Sequence, residues 1–287
     1  MLVWVVSKYG MLGRAIAASL ESKKIKYIST SKDQVDILNI SDIETFVNDL
    51  RITHIINCAA YTDVEKAETE KELAFAINVK GVENLAAIAK KKKAKLVHYS
   101  SDYVFDGRKK GPYLEIDECN PINYYGYTKY MSEKAAKSTL SDCLIIRTSW
   151  LFGLKKANFP SKMVALMKEK KEISVIKDQI GKATFCADLS LATIDLLDES
   201  GIFHFANDGI ISWHDFALEI FKNLKTSGQE LKCENIKAVL SDQFKTVAER
   251  PKYSVLNTDK FINLNKTKIR SFLEGLREYL TEEYGIY

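Results

Sequence analysis

The chain has 287 residues, of which 46% are hydrophobic and 28% charged, a balance that excludes an intrinsically disordered protein. Lysine and arginine number 42 against 38 acidic residues, so the net charge is only +4, too small to require a nucleic acid or a membrane surface as a partner. Five cysteines, an odd number without a CxxC pair, argue against a disulfide framework and a zinc ribbon. The first apolar run, Leu2–Val6, is shorter than the core of a signal peptide. We therefore expect a soluble, cytoplasmic protein with no metal site.

Short apolar runs alternate with amphipathic segments over the first 150 residues. The pattern predicts strands at 2–6, 26–30, 54–58, 95–99 and 144–147, and helices at 11–22, 41–50 and 125–138. Residues 64–91 also have helical periodicity, which one helix or two would satisfy. Ser41 is expected to cap the second of these helices, with Glu44 three residues later completing a capping box. Such alternation is typical of a doubly wound parallel sheet, in which ligands bind beyond the carboxyl ends of the strands.

The alternation is less regular after residue 150. Helices are predicted near 159–170, 187–199, 213–226 and 266–284, and short strands at 173–176, 203–206 and 236–240. The expected fold class is therefore α/β, with a Rossmann-type doubly wound parallel sheet followed by a smaller C-terminal α/β domain.

The turn between the first strand and the first helix has the composition of a phosphate-binding loop. Residues 7–13 read S-K-Y-G-M-L-G, which places Gly10 and Gly13 where a dinucleotide must approach the backbone and the helix must pack on the sheet. The first amides of the helix, at Met11 and Leu12, would then face the pyrophosphate. Ser7 stands where a first glycine is expected, and serine adopts a positive φ poorly. An ordinary strand-to-helix turn is the alternative.

The end of the second strand bears on the type of cofactor. An acidic residue at this place usually receives the ribose hydroxyls of NADH, whereas a cation accommodates the 2′-phosphate of NADPH. The segment carries Ser31 and Lys32 and no acid, so NADPH is favoured and NADH is the alternative. Asp36, followed by Ile37, could accept a hydrogen bond from the adenine amino group. Lys32 could also be an ordinary exposed lysine.

Tyr125 and Lys129 stand four residues apart in Y-G-Y-T-K, which places them on one face of a helix. A tyrosine with a pKa of about 10 is a poor acid at neutral pH, but a neighbouring lysine cation favours the phenolate and lowers that pKa. Such a pair can protonate a carbonyl oxygen while hydride arrives at its carbon. Ser101, at the end of a predicted strand, could bind the same oxygen. A surface tyrosine and lysine are the alternative.

These residues belong to a series of longer motifs. The series consists of N-C-A-A-Y-T-D-V-E-K-A-E at 57–68, I-N-V-K-G-V-E-N-L-A at 77–86, H-Y-S-S-D-Y-V-F-D-G at 98–107, P-I-N-Y-Y-G-Y-T-K at 121–129, R-T-S-W-L-F-G at 147–153, D-Q-I-G-K-A-T at 178–184 and R-P-K-Y-S-V-L at 250–256. On these motifs the chain resembles the extended short-chain dehydrogenase/reductase superfamily and, within it, the dTDP-4-dehydrorhamnose reductase family. The resemblance spans nearly the whole chain. It implies an NAD(P)H-dependent reductase that acts on the C4 keto group of a 4-keto-6-deoxy nucleotide sugar.

The resemblance also implies a role for each matching residue. Ser101 would hydrogen-bond the keto oxygen, Tyr125 would protonate it, and Lys129 would bind the nicotinamide ribose and hold down the tyrosine pKa. Asn57, Ala59, Ala60 and Tyr61 would line the cofactor after the fourth strand; Asp102, Tyr103 and Trp150 would face the sugar; and Arg250 would lie near the nucleotide diphosphate. Residues 1–150 would form the NAD(P)-binding domain and 151–287 mainly the substrate-binding domain, with some later segments returning to the first. The resemblance is compatible with a homodimer.

The chain departs from the family pattern at three positions. Ser7 replaces a glycine, Ser101 replaces the commoner threonine, and Ala183 stands where proline is usual. Two alternatives stay open. One is a nucleotide-sugar epimerase of the same superfamily; a dehydratase is disfavoured, because Tyr103 rather than a glutamate follows Asp102. The other is a non-catalytic regulatory subunit resembling the β subunit of methionine adenosyltransferase.

Overall fold

The computed structural model describes residues 1–286, in which strands and helices alternate as far as residue 148. In chain order this part contains β1 (Val3–Val6), α1 (Met11–Ser22), β2 (Tyr27–Thr30), α2 (Ile40–Val47), β3 (His54–Asn57), α3 (Val64–Ala67), α4 (Lys71–Phe75), a π-helical turn (Ala76–Lys80), α5 (Gly81–Lys92), β4 (Lys95–Ser101), a 3-10 turn (Asp102–Val104), α6 (Tyr124–Thr139) and β5 (Leu144–Thr148).

The second part has shorter strands. It contains β6 (Leu151–Phe152), α7 (Phe159–Glu169), β7 (Glu172–Ile176), β8 (Ile180–Gly181), β9 (Thr184–Phe185), α8 (Cys186–Asp195), β10 (Gly201–His204), β11 (Ile211–Ser212), α9 (Trp213–Thr226), β12 (Asn235–Val239), a second 3-10 turn (Ser241–Gln243), α10 (Asp259–Asn265) and α11 (Phe272–Tyr284). Every helix among residues 1–286 is too short or too polar to cross a lipid bilayer.

Six strands form one parallel sheet in the order β10-β5-β4-β3-β1-β2. The chain runs from β1 outward to β2 and then returns to the other side of β1 to make β3, so the direction of winding reverses between β1 and β3. In a doubly wound sheet the ligand crevice opens at this reversal, beyond the carboxyl ends of the strands. The predicted Rossmann-type parallel sheet is confirmed. The strand that precedes Ala59, expected as the fourth, is the third along the chain.

Helices cover both faces of the sheet, which explains the continuous apolar run of β1. Val3 and Val5 pack on one face with α1 and α8, where Ile16 and Leu189 are fully buried. Trp4 and Val6 pack on the other face in a cluster with residues of α2, α5 and α6. Because both faces are buried, neither set of alternating side chains can be polar.

A separate apolar core lies in the second part of the chain. Phe152, Phe185, Phe216, Leu276 and Tyr279 are at its centre, each with an exposed fraction of 1% or less. Three two-stranded sheets surround it: β7 pairs with β12 and β6 with β9 in parallel, and β8 pairs with β11 antiparallel. β10 does not belong to these sheets, because Gly201 pairs with Leu144 of β5 at the edge of the large sheet.

Three predicted helices differ in detail. Asn39, not Ser41, caps α2, because its side-chain oxygen accepts from the amides of Ser41 and Asp42. The helical segment 64–91, predicted as one helix or two, is divided into α3, α4, the π-helical turn and α5. The predicted helix 266–284 begins only at Phe272, where Ser271 and Glu274 form a capping box, and α10 precedes it.

Candidate active site

A cleft of about 460 Å³ opens at the carboxyl ends of β1, β3, β4 and β5. Twelve of the predicted site residues line it: Ser7, Gly10, Met11, Leu12, Ala59, Ala60, Ser101, Asp102, Tyr103, Tyr125, Lys129 and Trp150. Asn57 also lines the cleft, and so do the unpredicted residues Cys58, Ser100, Lys156, Asn158 and Trp213. The predicted residues Ser31, Lys32, Asp36, Ile37, Tyr61 and Arg250 lie outside this lining.

The loop after β1 has the form that a dinucleotide requires, although it begins with serine. Ser7 has a φ of 73°, in the left-handed region that usually calls for glycine. Its main-chain oxygen accepts from the amide of Gly10 at 3.0 Å, and a Cβ on Gly13 would lie 2.2 Å from that same oxygen. Gly10 caps α1 without a side-chain hydrogen bond, so the first amides of the helix stay free. A free helix N-terminus of this kind suits a phosphate.

The end of β2 lies beside this loop but outside the cleft lining. Lys32 is exposed, while Ser31 is buried and its amide donates to Oε1 of Gln34 at 3.1 Å. Asp36 accepts from the amide of Leu38 at 3.0 Å. Ile37 is buried in the core under the sheet. The geometry thus leaves Lys32 as the free cation of this segment within the described residues.

Ser101 ends β4 and caps the 3-10 turn that follows. Its Oγ accepts from the amide of Tyr103 at 3.1 Å and donates to Oδ1 of Asp102 at 2.9 Å. The second carboxylate oxygen, Oδ2, accepts from Oγ of Ser254 at 2.6 Å. Asp102 is 2% exposed, and this burial raises its pKa to about 6, against the opposing effect of the two hydroxyl donors. Ser254 was not among the predicted site residues.

Tyr125 and Lys129 reach the cleft from the first turns of α6. Asn123 caps this helix, accepting from the amide of Gly126 at 2.8 Å. Burial raises the pKa of Tyr125 to about 12, and the hydrogen bond with Ser101 opposes that rise. Burial also lowers the pKa of Lys129 to about 8. In the free chain the phenol therefore keeps its proton at neutral pH, because desolvation outweighs the stabilisation of the phenolate that the sequence led us to expect.

A buried network of hydrogen bonds connects the end of β3 to α6. Ser132 donates to the main-chain oxygen of Lys129 at 2.6 Å, and Nε2 of His98 lies 2.8 Å from Oγ of Ser132. Nδ1 of His98 lies 3.3 Å from Nδ2 of Asn57, whose Oδ1 accepts from the amide of Ala59. Burial holds the pKa of His98 well below its usual value, so the ring is neutral and accepts at Nδ1. These hydrogen bonds fix the position of Lys129 relative to Ala59.

The break in the helical segment 64–91 places a further polar group near the cleft. Asn78, in the π-helical turn, donates to the main-chain oxygen of Tyr61 at 3.0 Å and to Oγ1 of Thr128 at 2.9 Å. Its Oδ1 accepts from the amide of Tyr61 at 2.8 Å. These bonds hold the backbone of Tyr61 against α6, while the Tyr61 hydroxyl is directed to Glu70 at 2.8 Å.

Two tryptophans form one wall of the cleft. The indole of Trp150 stacks on that of Trp213, with ring centroids 3.7 Å apart and planes at 10°. Trp150 has a φ of 46°, and a Cβ on Gly181 would lie 2.8 Å from its ring. Gly181 of the D-Q-I-G motif thus provides the space that Trp150 occupies. Trp213 begins α9, and its helical spacing gave no signal of a site.

Arg250 lies at the rim of the cleft in an ion pair. Its Nη2 lies 2.6 Å from Oε1 of Glu65, and Oε2 of Glu65 accepts from the amide of Val247 at 2.8 Å. The guanidinium also lies near the hydroxyl of Tyr103, where it opposes the rise in the tyrosine pKa that burial causes. Arg250 therefore joins the C-terminal segment to α3 beside the cleft.

The fold and these motifs have close counterparts among known proteins. The family described as RmlD substrate binding domain matches residues 1–284. The dTDP-4-dehydrorhamnose reductase of Escherichia coli (strain K12) is 36% identical over 254 residues, which is 86% of this chain and 85% of that protein. The dTDP-4-keto-6-deoxy-D-glucose reductase of Streptomyces niveus is 34% identical over 279 residues, covering 96% and 95%.

Solved structures agree with the sequence relatives. The dTDP-4-dehydrorhamnose reductase of Bacillus anthracis, crystallised in complex with NADP, superimposes with a TM-score of 0.91 at 36% identity, covering 98% of this chain and 99% of that one. A UDP-glucose 4-epimerase of Thermus thermophilus, 15% identical with a TM-score of 0.84 over 98% of each chain, shares the fold alone. This chain belongs to the dTDP-4-dehydrorhamnose reductase family.

Proposed function

We propose that this chain is an oxidoreductase that uses NADPH to reduce the C4 ketone of dTDP-4-dehydro-L-rhamnose, or of a close 4-keto-6-deoxy relative, to the alcohol. The observation that carries the proposal is the meeting of Ser101, Tyr125 and Lys129 in one cleft beside the loop at Ser7. Two donors for a carbonyl oxygen and a buried cation stand there together. The reductases among the relatives supply the substrate class.

The cleft has the features that a dinucleotide needs. The close approach of Gly13 to the main-chain oxygen of Ser7 and the uncapped N-terminus of α1 form a cradle for a pyrophosphate. Tyr125 and Lys129 line the same cleft, and we assign them to the nicotinamide ribose. NADPH bound there would supply a hydride to the ketone carbon. The exposed Lys32 is the cation we assign to its 2′-phosphate. The complex of the Bacillus anthracis relative with NADP supports the choice of NADPH.

The side chains of this protein then handle the charge and the proton. Negative charge develops on the ketone oxygen as its carbon is reduced, and hydrogen bonds from Ser101 and Tyr125 would stabilise it. Tyr125 gives up its proton only at this stage, because its raised pKa keeps the phenol neutral beforehand. The Lys129 cation stabilises the phenolate that remains. The stacked Trp150 and Trp213 limit access of water from their side.

We further propose that residues 1–150 bind the cofactor and that 151–287 mainly bind the sugar nucleotide. The separate apolar core around Phe152 and Phe216 supports the second unit. The return of β10 to the edge of the large sheet supports the expectation that later segments rejoin the first unit. Arg250, at the rim on the C-terminal segment, is the group we assign to the diphosphate.

The experiment that tests the function follows NADPH absorbance with dTDP-4-dehydro-L-rhamnose as substrate. We expect turnover with the dTDP sugar to exceed that with the UDP, GDP and CDP sugars. Absence of turnover, together with absence of NADPH and NADH binding, would refute the reductase. Binding of cofactor without turnover of any of these sugars would favour the regulatory-subunit alternative.

The cofactor preference has its own test. Lys32→Glu should raise the KM for NADPH about tenfold and leave that for NADH nearly unchanged, because only NADPH carries the 2′-phosphate. Lys26→Glu, which changes another exposed lysine at the opposite end of β2, is the control. Equal effects on NADPH and NADH would contradict the assignment of Lys32.

A further inference from the structure

The carboxylate of Asp102 joins two hydroxyl groups from distant parts of the chain. Oδ1 accepts from Ser101 at 2.9 Å and Oδ2 accepts from Ser254 at 2.6 Å. Asp102 and Ser254 are each 2% exposed, so water does not replace either bond. No cation of the described residues forms a salt bridge with this carboxylate. Its charge therefore depends on the two serine hydroxyls and on backbone amides of its own turn.

This arrangement creates competition for one hydrogen atom. In the free chain Ser101 gives its hydroxyl hydrogen to Asp102. A ketone oxygen has no hydrogen to offer, so Ser101 can bind it only by donating the same hydrogen. Ser101 must therefore turn away from Asp102 when the ketone is bound. A buried carboxylate that loses a donor is destabilised unless another donor remains.

We propose that Ser254 is a positioning residue, which keeps the Asp102 carboxylate hydrogen-bonded while Ser101 redirects its hydrogen bond from Asp102 to the substrate ketone. The inference rests on the reductase function proposed above. Ser254 does not touch the reacting atoms; it acts through Asp102 and Ser101. The hydrogen bond from Ser254 also explains why a buried carboxylate without a salt bridge can lie directly beside the hydroxyl that the reaction uses.

The backbone around Ser254 keeps its hydroxyl in place. The amide of Ser254 donates to the main-chain oxygen of Ile180 at 2.9 Å, and the amide of Ile180 donates to the main-chain oxygen of Lys252 at 2.8 Å. This pairing fixes the C-terminal segment against the D-Q-I-G motif whose Gly181 accommodates Trp150. The same segment carries Arg250 four residues earlier. The position of Ser254 is thus set by the two motifs that form the substrate side of the cleft.

The test is the Ser254→Ala variant, which removes one oxygen and leaves the backbone pairing. We expect kcat to fall about tenfold or more at pH 8, with little change in KM, because the hydrogen bond from Ser101 to the ketone strengthens as charge develops. Ser190→Ala is the matched control: Ser190 is also fully buried and forms a 2.6 Å hydroxyl contact, with Ser19, but lies outside the cleft lining. Its kcat should equal that of the wild type. Ser254→Thr, which keeps the hydroxyl, should recover most of the loss.

Two further readouts separate positioning from a general loss of structure. A protonated Asp102 no longer takes the hydrogen of Ser101, so the loss of kcat in Ser254→Ala should become smaller as the pH falls toward and below about 6, the pKa of Asp102 with both hydroxyl donors present. The ionisable groups facing Asp102 are the phenols of Tyr103 and Tyr125, with Arg250 beside Tyr103 on the C-terminal segment. Burial raises the pKa of both phenols, so they are neutral over this range. In an Asp102→Asn background, Ser254→Ala should have little effect, since no charge remains to be stabilised.

The outcomes distinguish the two proposals. A wild-type protein that does not turn over the sugar refutes the reductase function. An active wild type with Ser254→Ala as active as Ser190→Ala refutes the role of Ser254. The role of Ser254 is also refuted if Ser254→Ala loses the same fraction of kcat at every pH, or if it loses that fraction in the Asp102→Asn background as well. NADPH binding, followed by fluorescence, should be unchanged in Ser254→Ala.

Discussion

A Cβ placed on Gly126 would lie 2.1 Å from the main-chain oxygen of Tyr103. The start of α6 and the turn after β4 thus touch backbone to backbone, and this contact sets the distance between Tyr125 and Ser101. Gly126→Ala should force the two segments apart, lower the free energy of unfolding by about 1–3 kcal/mol and reduce kcat more than a hundredfold. Gly111→Ala is the control, because a Cβ there meets nothing within 4 Å. Urea denaturation and steady-state kinetics provide the measurements. Wild-type activity in Gly126→Ala would show that the contact does not set the site.

The phenol of Tyr125 is the second target. Tyr125→Phe should lower kcat by about 10²–10⁴-fold, because the proton donor to the developing alkoxide is lost, while NADPH binding changes little. Tyr127→Phe removes a hydroxyl from the same helix at a side chain that is 40% exposed, and it should be fully active. Single-turnover kinetics with prebound NADPH measure the chemical step directly. An active Tyr125→Phe variant would refute the assignment of the acid.

The positive φ of Ser7 should reduce the stability of the folded protein. A residue other than glycine in this conformation is strained, so Ser7→Gly should raise the free energy of unfolding by about 0.5–1 kcal/mol. Ser7→Ala keeps the strain and should give no gain. Urea denaturation of the two variants, compared at equal protein concentration, measures the difference. If the glycine variant were no more stable than the alanine variant, the turn at Ser7 would not be strained.

Lys129 should impose a characteristic pH dependence on stability. Burial lowers the pKa of Lys129 to about 8 in the folded chain, whereas an unfolded lysine titrates at about 10.4. Between these values the unfolded state binds more protons, so this group makes the folded state more stable as pH rises. Relative to Lys129→Met, the wild type should gain up to about 1.4 kcal/mol per pH unit from pH 8 to 10.

The measurement is the free energy of unfolding in urea, without cofactor, at several values of pH. Lys134→Met, at an exposed position on the same helix, should retain the wild-type slope. Identical slopes for the wild type and Lys129→Met would mean that Lys129 is not desolvated in the free chain.

Local patterns were sufficient to predict the elements that carry their own periodicity. The helix 11–22 and the helix 213–226 have the predicted bounds, and each strand of the large sheet lies within about two residues of its predicted position. The positions of the breaks within 64–91, with the π-helical turn, and the break ahead of Phe272 were not predicted, because helical periodicity continues across them. The cap of α2 was misplaced by two residues, since Asn39 and Ser41 both have suitable side chains.

The site residues also fall into those that sequence motifs predict and those that only the folded structure reveals. The motifs around Ser101 and Tyr125 are contiguous in sequence, and the structure brings them together in the cleft. Trp213 lines the cleft through long-range packing against Trp150. Ser254 lies in the R-P-K-Y-S-V-L motif, but its connection to the site is a long-range hydrogen bond to Asp102, so local spacing gave neither residue a role. The pKa of Tyr125 depends mainly on desolvation in the folded chain, and the four-residue spacing between Tyr125 and Lys129 does not predict how deeply the phenol is buried.

The return of β10 to the large sheet has a consequence for how the chain is made. When the ribosome has produced only the first 150 residues, the outer edge of β5 is still unpaired and the face of α1 that receives α8 is still exposed to water. An unpaired hydrophobic edge is a template for association with other chains. The large sheet therefore gains its sixth strand only after residue 204 has been made, and the core on this face closes only when Phe261 has followed, so the folding of residues 1–150 depends on later parts of the chain.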